Sequence, residues 1–218
     1  PEYFPLMGLR DSDKLRIVEE DGQGPIQEFL AATARRLGIW LVGGSLPLAG
    51  NVQEKVLNTC LVFNPQGERV ARYDKIHLFG YQKGAEHYNE GASIEAGRKW
   101  AAFDSPFGRV GLSICYDIRF PELYRAQGAV DLHVVPAAFT DTTGRAHWEV
   151  LLRARAIENQ CYLLAAAQGG THENGRETHG NSLLIDPWGR VVERLGKGEG
   201  LVIGELDHAR IADVRASL

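Results

Sequence analysis

Leu61-Val-Phe-Asn64-Pro-Gln-Gly67-Glu-Arg-Val-Ala-Arg-Tyr73 lines up with Leu183-Leu-Ile-Asp186-Pro-Trp-Gly189-Arg-Val-Val-Glu-Arg-Leu195. In both, an apolar run with β propensity leads into Asn or Asp, then Pro, one further residue and Gly, and a second run follows. Asn or Asp hydrogen-bonds back onto the main chain, Pro presets the φ of the next position, and Gly accepts a positive φ. Together they spell a type I turn between two strands. Ser105-Pro-Phe-Gly108 carries the same punctuation a third time. The repeat predicts two similar halves, each contributing hairpins to a sheet of its own.

Outward from these hairpins the pattern alternates. Ile26, Phe29, Leu30, Ala34 and Leu37 recur at helical spacing before Gly38, which predicts an amphipathic helix. Buried strands are expected at residues 39–45, 58–63, 131–136 and 161–167, the third ending at Pro136, with a helix over residues 147–159. Helices between strands, together with hairpins, point to an α/β protein: a four-layer αββα sandwich of two mixed sheets, in preference to one doubly wound sheet.

The 218 residues are 44% hydrophobic and 24% charged, enough for one sizeable core, so a single domain over residues 1–218 is expected. A net charge of −4 with interspersed signs gives no nucleic-acid footprint, and no run has the length and apolarity of a membrane span. Cys60, Cys115 and Cys161 are too few and too scattered for a disulfide framework, which favours a reducing, cytoplasmic setting. The seven His lack ligand spacing, so no metal is expected. The chain opens Pro1-Glu2-Tyr3-Phe4 without an initiating Met or a leader, and is read as processed or as a fragment.

Chemistry centres on Val110-Gly-Leu-Ser-Ile-Cys115-Tyr-Asp-Ile-Arg119-Phe-Pro121-Glu122. Val110, Leu112 and Ile114 form a short buried strand, and Pro121 suits the first turn of a helix. Cys115 therefore stands at a strand-to-helix elbow, where a nucleophile is held rigidly and still reaches a pocket; the same position also suits a small packing residue. A thiol with an ordinary pKa near ~8.5 is mostly protonated at neutral pH, so it needs a base or a cation. Lys75, in Arg72-Tyr-Asp-Lys75-Ile-His-Leu-Phe79, follows the first repeated hairpin; Glu2 lies in a short apolar context and Glu90 in a loop.

Pro1-Glu2, Tyr73-Asp-Lys75-Ile-His-Leu-Phe79 and Cys115-Tyr-Asp-Ile-Arg-Phe-Pro-Glu122, in that order and separation, resemble the Glu, Lys, Cys signature of the nitrilase superfamily of carbon-nitrogen hydrolases. The stretch from Thr143 through Cys161-Tyr162 resembles its Nit branch, which includes deaminated-glutathione amidases and ω-amidases. The resemblance implies Cys115 as nucleophile, Glu2 as general base and then acid, Lys75 as stabiliser of the tetrahedral intermediate, and Glu90 as the second glutamate that orients the others. It implies an oxyanion contact from the Tyr116 backbone amide, a nitrilase-like αββα sandwich, no cofactor, and a homodimer or larger homo-oligomer. Members carry a strand, a helix and most of a second strand before the Pro-Glu step and a tail after Leu218, so the first strand and helix are expected to be missing here. The expected reaction is hydrolysis of a small carboxylate-bearing amide, deaminated glutathione first and short α-keto acid monoamides second. An inactive member kept as a scaffold is the alternative; a papain-like protease lacks a recognisable His and Asn context. A buried substrate carboxylate calls for a fixed cation, and Arg119 and Arg145 are the candidates, each with the competing prospect of a structural ion pair, Arg119 with Asp117 or Glu122.

Overall fold

The turn chemistry reads out directly in the computed structural model, which describes residues 1–84 and 86–218. Two compact units are present, one of Tyr3–Lys99 and one of Pro1–Glu2 with Trp100–Leu218. Each carries one copy of the repeated hairpin.

In the Tyr3–Lys99 unit the elements run α1 (Pro25–Leu37), β1 (Leu41–Val42), β2 (Leu46–Ala49), β3 (Val56–Phe63), β4 (Arg69–Asp74), β5 (Gly80–Lys83), β6 (Glu86–Asn89) and β7 (Ile94–Glu95). The fully buried β3 is the centre: β1 and β2 pair with it antiparallel, β4 antiparallel and β7 parallel. Helix α1 has Pro at its first turn and Gly38 at φ 64° as its C-cap, and it lays Leu30 and Ala34 against Leu46, Leu48, Leu61 and Phe63. The strand expected over residues 39–45 is split in two at Gly43-Gly44. Gly44 turns at φ 64°, and a Cβ at Gly43 would meet Leu30 Cδ1 at 2.7 Å, so the helix packs where the strand is pinched.

The second unit continues with β8 (Ala102–Ser105), β9 (Gly108–Leu112), a 3₁₀ turn over Cys115–Arg119, α2 (Pro121–Ala126), β10 (Leu132–Ala137), α3 (Asp141–Asn159), β11 (Tyr162–Ala167), β12 (Gly169–Thr171), β13 (Glu177–His179), β14 (Ser182–Ile185), β15 (Val191–Leu195) and α4 (His208–Ser217). Its six-stranded sheet runs β15-β14-β11-β10-β9-β8 and is mixed, with β9, β10 and β11 mutually parallel. Trp148, Leu152 and Ala156 of α3 are buried.

The repeated hairpins match in detail. Gly67 N–H donates to Asn64 O (2.8 Å) and Gly189 N–H to Asp186 O (2.9 Å), each Asn or Asp Oδ1 accepts two further backbone amides, and in each hairpin the register shifts by one residue in the strand after the turn. The third turn differs: Ser105 pairs directly with Gly108, whose φ is 115°, and no bulge follows.

Two boundaries depart from expectation. Pro136 lies inside β10, which continues to Ala137; β9 pairs only with Leu132–Val134, so the missing Pro N–H has no ladder to interrupt on that side. Helix α3 starts at Asp141, six residues before His147, because Thr140 caps it through its side chain to Thr143 N–H and its carbonyl accepts Gly144 N–H at 2.8 Å. Gly144 is tolerated within the helix because the His179 ring occupies the space a side chain would need.

His133 on β10 is fully buried, its ring edge-to-face with Tyr124 at 4.8 Å, and neither ring nitrogen has a partner among the described residues. Burial pushes its pKa down to about 3. The unfolded chain takes up this proton near pH 6.5 and the folded protein only near 3, so the contribution is complete above pH 6.5 and is lost as pH falls toward 3. We expect the protein to be about 2 kcal/mol less stable at pH 5 than at pH 7 on this account. Urea denaturation at the two pH values checks it, and His133→Leu should erase most of the difference.

Candidate active site

The carboxyl ends of the three parallel strands converge on one sheet edge, the usual location for ligands in α/β sheets. β9 leads to Cys115, β10 to Ala138 and β11 to Gln168. Glu2 is fixed there: Ala138 N–H donates to its Oε2 at 3.0 Å and Gln168 Nε2 to its carbonyl at 2.6 Å. At 2% exposure the carboxylate is anything but a frayed terminal group. Arg176, on the β12–β13 hairpin, donates to Ala138 O at 2.9 Å and steadies the same peptide from its other side.

Cys115 is 6% exposed and opens the 3₁₀ turn with φ 51°, a left-handed conformation rare for a side-chain-bearing residue. Asp117 holds the elbow by accepting Ile114 N–H at Oδ2 (2.9 Å) and returning its own N–H to Ile114 O (3.1 Å). Ser113 Oγ donates to Val134 O and accepts the Tyr124 hydroxyl, which ties the elbow to β10 and α2. Cys60 and Cys161 are fully buried, and burial pushes both thiols up to about 12, so neither supplies thiolate.

In the Tyr3–Lys99 unit Lys75 and Glu90 are brought together. Lys75 is 1% exposed and its Nζ donates to Glu90 Oε2 at 2.8 Å and Oε1 at 3.0 Å. Glu90 also accepts Phe79 N–H (2.7 Å), the Tyr3 hydroxyl (2.7 Å) and Asn58 Nδ2 (3.4 Å). Burial alone would raise the Glu90 carboxyl; the Lys75 ammonium, the Phe79 amide and the Tyr3 hydroxyl outweigh it and hold the group below its ordinary range.

The two arginines part company. Arg119 pairs with neither Asp117 nor Glu122: its Nη2 donates to His147 Nδ1 at 3.1 Å and its guanidinium lies over the Tyr116 and Phe139 rings at 5.5 and 5.6 Å. No carboxylate pairs with it among the described residues. Asp117 is spent on the elbow, and the aromatic faces hold the planar cation in place. Arg145 donates to Asp141 Oδ2 at 2.7 Å with its side chain 72% exposed, a surface ion pair on the first turn of α3. Among the described residues no group of three His, Cys, Asp or Glu could hold a metal, and no helix is long and apolar enough to cross a membrane.

Residues 1–216 match the profile of the carbon-nitrogen hydrolase family. The chain belongs to that family. The hydrolase is 42% identical over 226 aligned residues to a deaminated glutathione amidase of Synechocystis, covering 100% of this chain and 82% of the relative. It is 39% identical over 200 residues to human omega-amidase NIT2, covering 89% and 71%. Among solved structures it superposes on Saccharomyces cerevisiae Nit3, a member of branch 10 of the nitrilase superfamily, with a TM-score of 0.87 and 29% identity over 100% of this chain and 79% of that one. The α/β nitrilase fold expected from the sequence is thus the fold of the hydrolase.

The contacts of Glu2 and Glu90 were not readable beforehand. Ala138, Gln168, Asn58, Phe79 and Tyr3 act through backbone amides or ordinary side chains far along the chain, and such residues carry no motif of their own.

Proposed function

We propose that the hydrolase cleaves a small carboxylate-bearing amide, deaminated glutathione first, through a thioester on Cys115, with residues 1–218 acting as one domain. The observation that carries this reading is the strand-end arrangement that fixes Glu2 on the Ala138 amide at the edge where Cys115 turns; the names of the relatives support the substrate. Glu2 takes the thiol proton and the thiolate attacks the amide carbonyl. The Lys75 ammonium, oriented by Glu90, and the Tyr116 backbone amide stabilise the oxyanion. Glu2 returns the proton to the departing amine, leaving an acyl-thioester, then activates the water that releases the acid and restores the thiol. No step calls for a cofactor. A short α-keto acid monoamide is the second substrate class, favoured by the likeness to an omega-amidase.

A homodimer fits the outer face of α3, where Val150 is 68% and Ile157 43% exposed. A cytoplasmic setting fits three cysteines without a disulfide.

Arg119, held between aromatic faces and the His147 imidazole, is the better placed cation for the substrate carboxylate. In a comparison of deaminated glutathione with a neutral amide of similar size, Arg119→Ala should lose roughly 10- to 100-fold in kcat/KM on the charged amide and little on the neutral one. Arg145→Ala should change neither. Equal losses on both amides, or a wild-type preference for the neutral one, would remove carboxylate recognition from the reading.

A further inference from the structure

We infer that Tyr3 is a positioning residue for the Lys75–Glu90 pair, its phenol fixing the orientation and charge of Glu90 and, through it, of the Lys75 ammonium. The residue directly follows Glu2 in the chain, so one short segment supplies a group to each polar cluster. Tyr3 is held by three separate features. Its backbone takes a left-handed φ of 51°. Its N–H donates to Ser45 Oγ at 3.0 Å, just past the glycine pinch between β1 and β2. Its ring is 8% exposed and packs with Val56 and Ile94. So anchored, the hydroxyl donates to Glu90 Oε1 at 2.7 Å.

Packing alone does not explain a tyrosine here, since phenylalanine would fill the same space and leave Glu90 with one donor fewer. The charged and polar groups facing Glu90 are Lys75, the Tyr3 hydroxyl, the Phe79 amide and Asn58, while Lys55 Nζ binds the neighbouring Gly91 carbonyl at 2.6 Å. Lys14 Nζ sits 4.8 Å from the centroid of the Tyr3 ring, and a cation over the ring makes the hydroxyl a stronger donor. Oε1 receives Lys75 at 3.0 Å, Tyr3 at 2.7 Å and Asn58 at 3.4 Å, so the phenol is its shortest contact. Without it Oε1 loses its shortest restraint, the carboxylate can shift against the ammonium it already contacts, and Lys75 loses the geometry in which it meets developing negative charge. Hydrogen bonding to a carboxylate favours its charged form, so loss of the phenol also raises the pH at which Glu90 protonates.

The test is Tyr3→Phe, with thermal melting to verify the fold. The kinetic arm rests on the amidase reading: kcat should fall about tenfold with KM within about twofold, and the acid limb of the pH profile should move to higher pH. The second arm needs no turnover. The carboxyl ¹³C resonance of Glu90, assigned by its loss in Glu90→Gln, should titrate at higher pH in Tyr3→Phe than in wild type. An active wild type with an unchanged profile and unchanged Glu90 titration in Tyr3→Phe overturns the role of Tyr3 and leaves the amidase reading intact. A wild type inactive on every amide, with the Glu90 titration displaced as expected, defeats the amidase reading and leaves Tyr3 in place.

Discussion

Cys115→Ala is expected to lower kcat on deaminated glutathione by at least ~10⁴-fold, the scale of removing the nucleophile from a covalent mechanism, with the melting temperature little changed. The elbow itself is held by hydrogen bonds of Asp117, Ser113 and Tyr124, all of which remain in the variant. Alanine keeps the backbone in place, though it shares the mild discomfort of the left-handed φ. Mass spectrometry of wild type quenched during turnover should show one acyl adduct on the Cys115 peptide, and none on the peptides of Cys60 or Cys161. Undiminished turnover in Cys115→Ala, or an adduct on either buried thiol, would sink the mechanism. Cys161→Ser serves as the contrast, since it buries a more strongly hydrated hydroxyl in place of a fully buried thiol and should cost stability before it costs rate.

The second large effect belongs to Lys75. Losing an oxyanion donor costs ~10²- to 10³-fold in rate, and Lys75→Ala should lose at least that in kcat. Unlike the thiol, this side chain also matters for folding. Its removal strands Glu90, whose side chain is 10% exposed, without its ammonium, and breaking a buried pair from one side costs about 3–5 kcal/mol. The double variant Lys75→Met with Glu90→Gln separates the two roles: with both charges gone, much of the stability should return, while the rate stays low. A loss of less than about tenfold in Lys75→Ala would return the residue to a purely structural part.

What the sequence disclosed follows how local the determining physics is. The paired hairpins were legible because Pro and Gly act within four residues, and the elbow at Cys115 because strand, turn and helix signals lie side by side. Rules that look only along the chain misjudged Pro136: whether a proline ends a strand depends on how far the neighbouring strand reaches, and β9 ends at Leu112, opposite Val134. They also began α3 too late, since Thr-Thr-Gly reads as loop until Thr140 is recognised as its cap. At the site, Lys75 and Glu90 were separately nameable, but nothing in 15 residues of separation says that they share a buried ion pair. The fate of Arg119 turned on the rings of Tyr116 and Phe139, the latter twenty positions further on.

The anchoring of Glu2 has a consequence for biosynthesis. Two of its hydrogen-bond partners lie 136 and 166 residues downstream, so this segment is fastened by residues made long after it. At roughly 5–20 residues per second, translation needs about 10–30 s to travel from Glu2 to Gln168. Through that interval the strand and turn around Cys115 can leave the ribosome and form, yet Glu2, the proposed base, lacks its full seat. On the proposed mechanism, the nascent hydrolase carries its cysteine without the Glu2 base until the sheet edge closes.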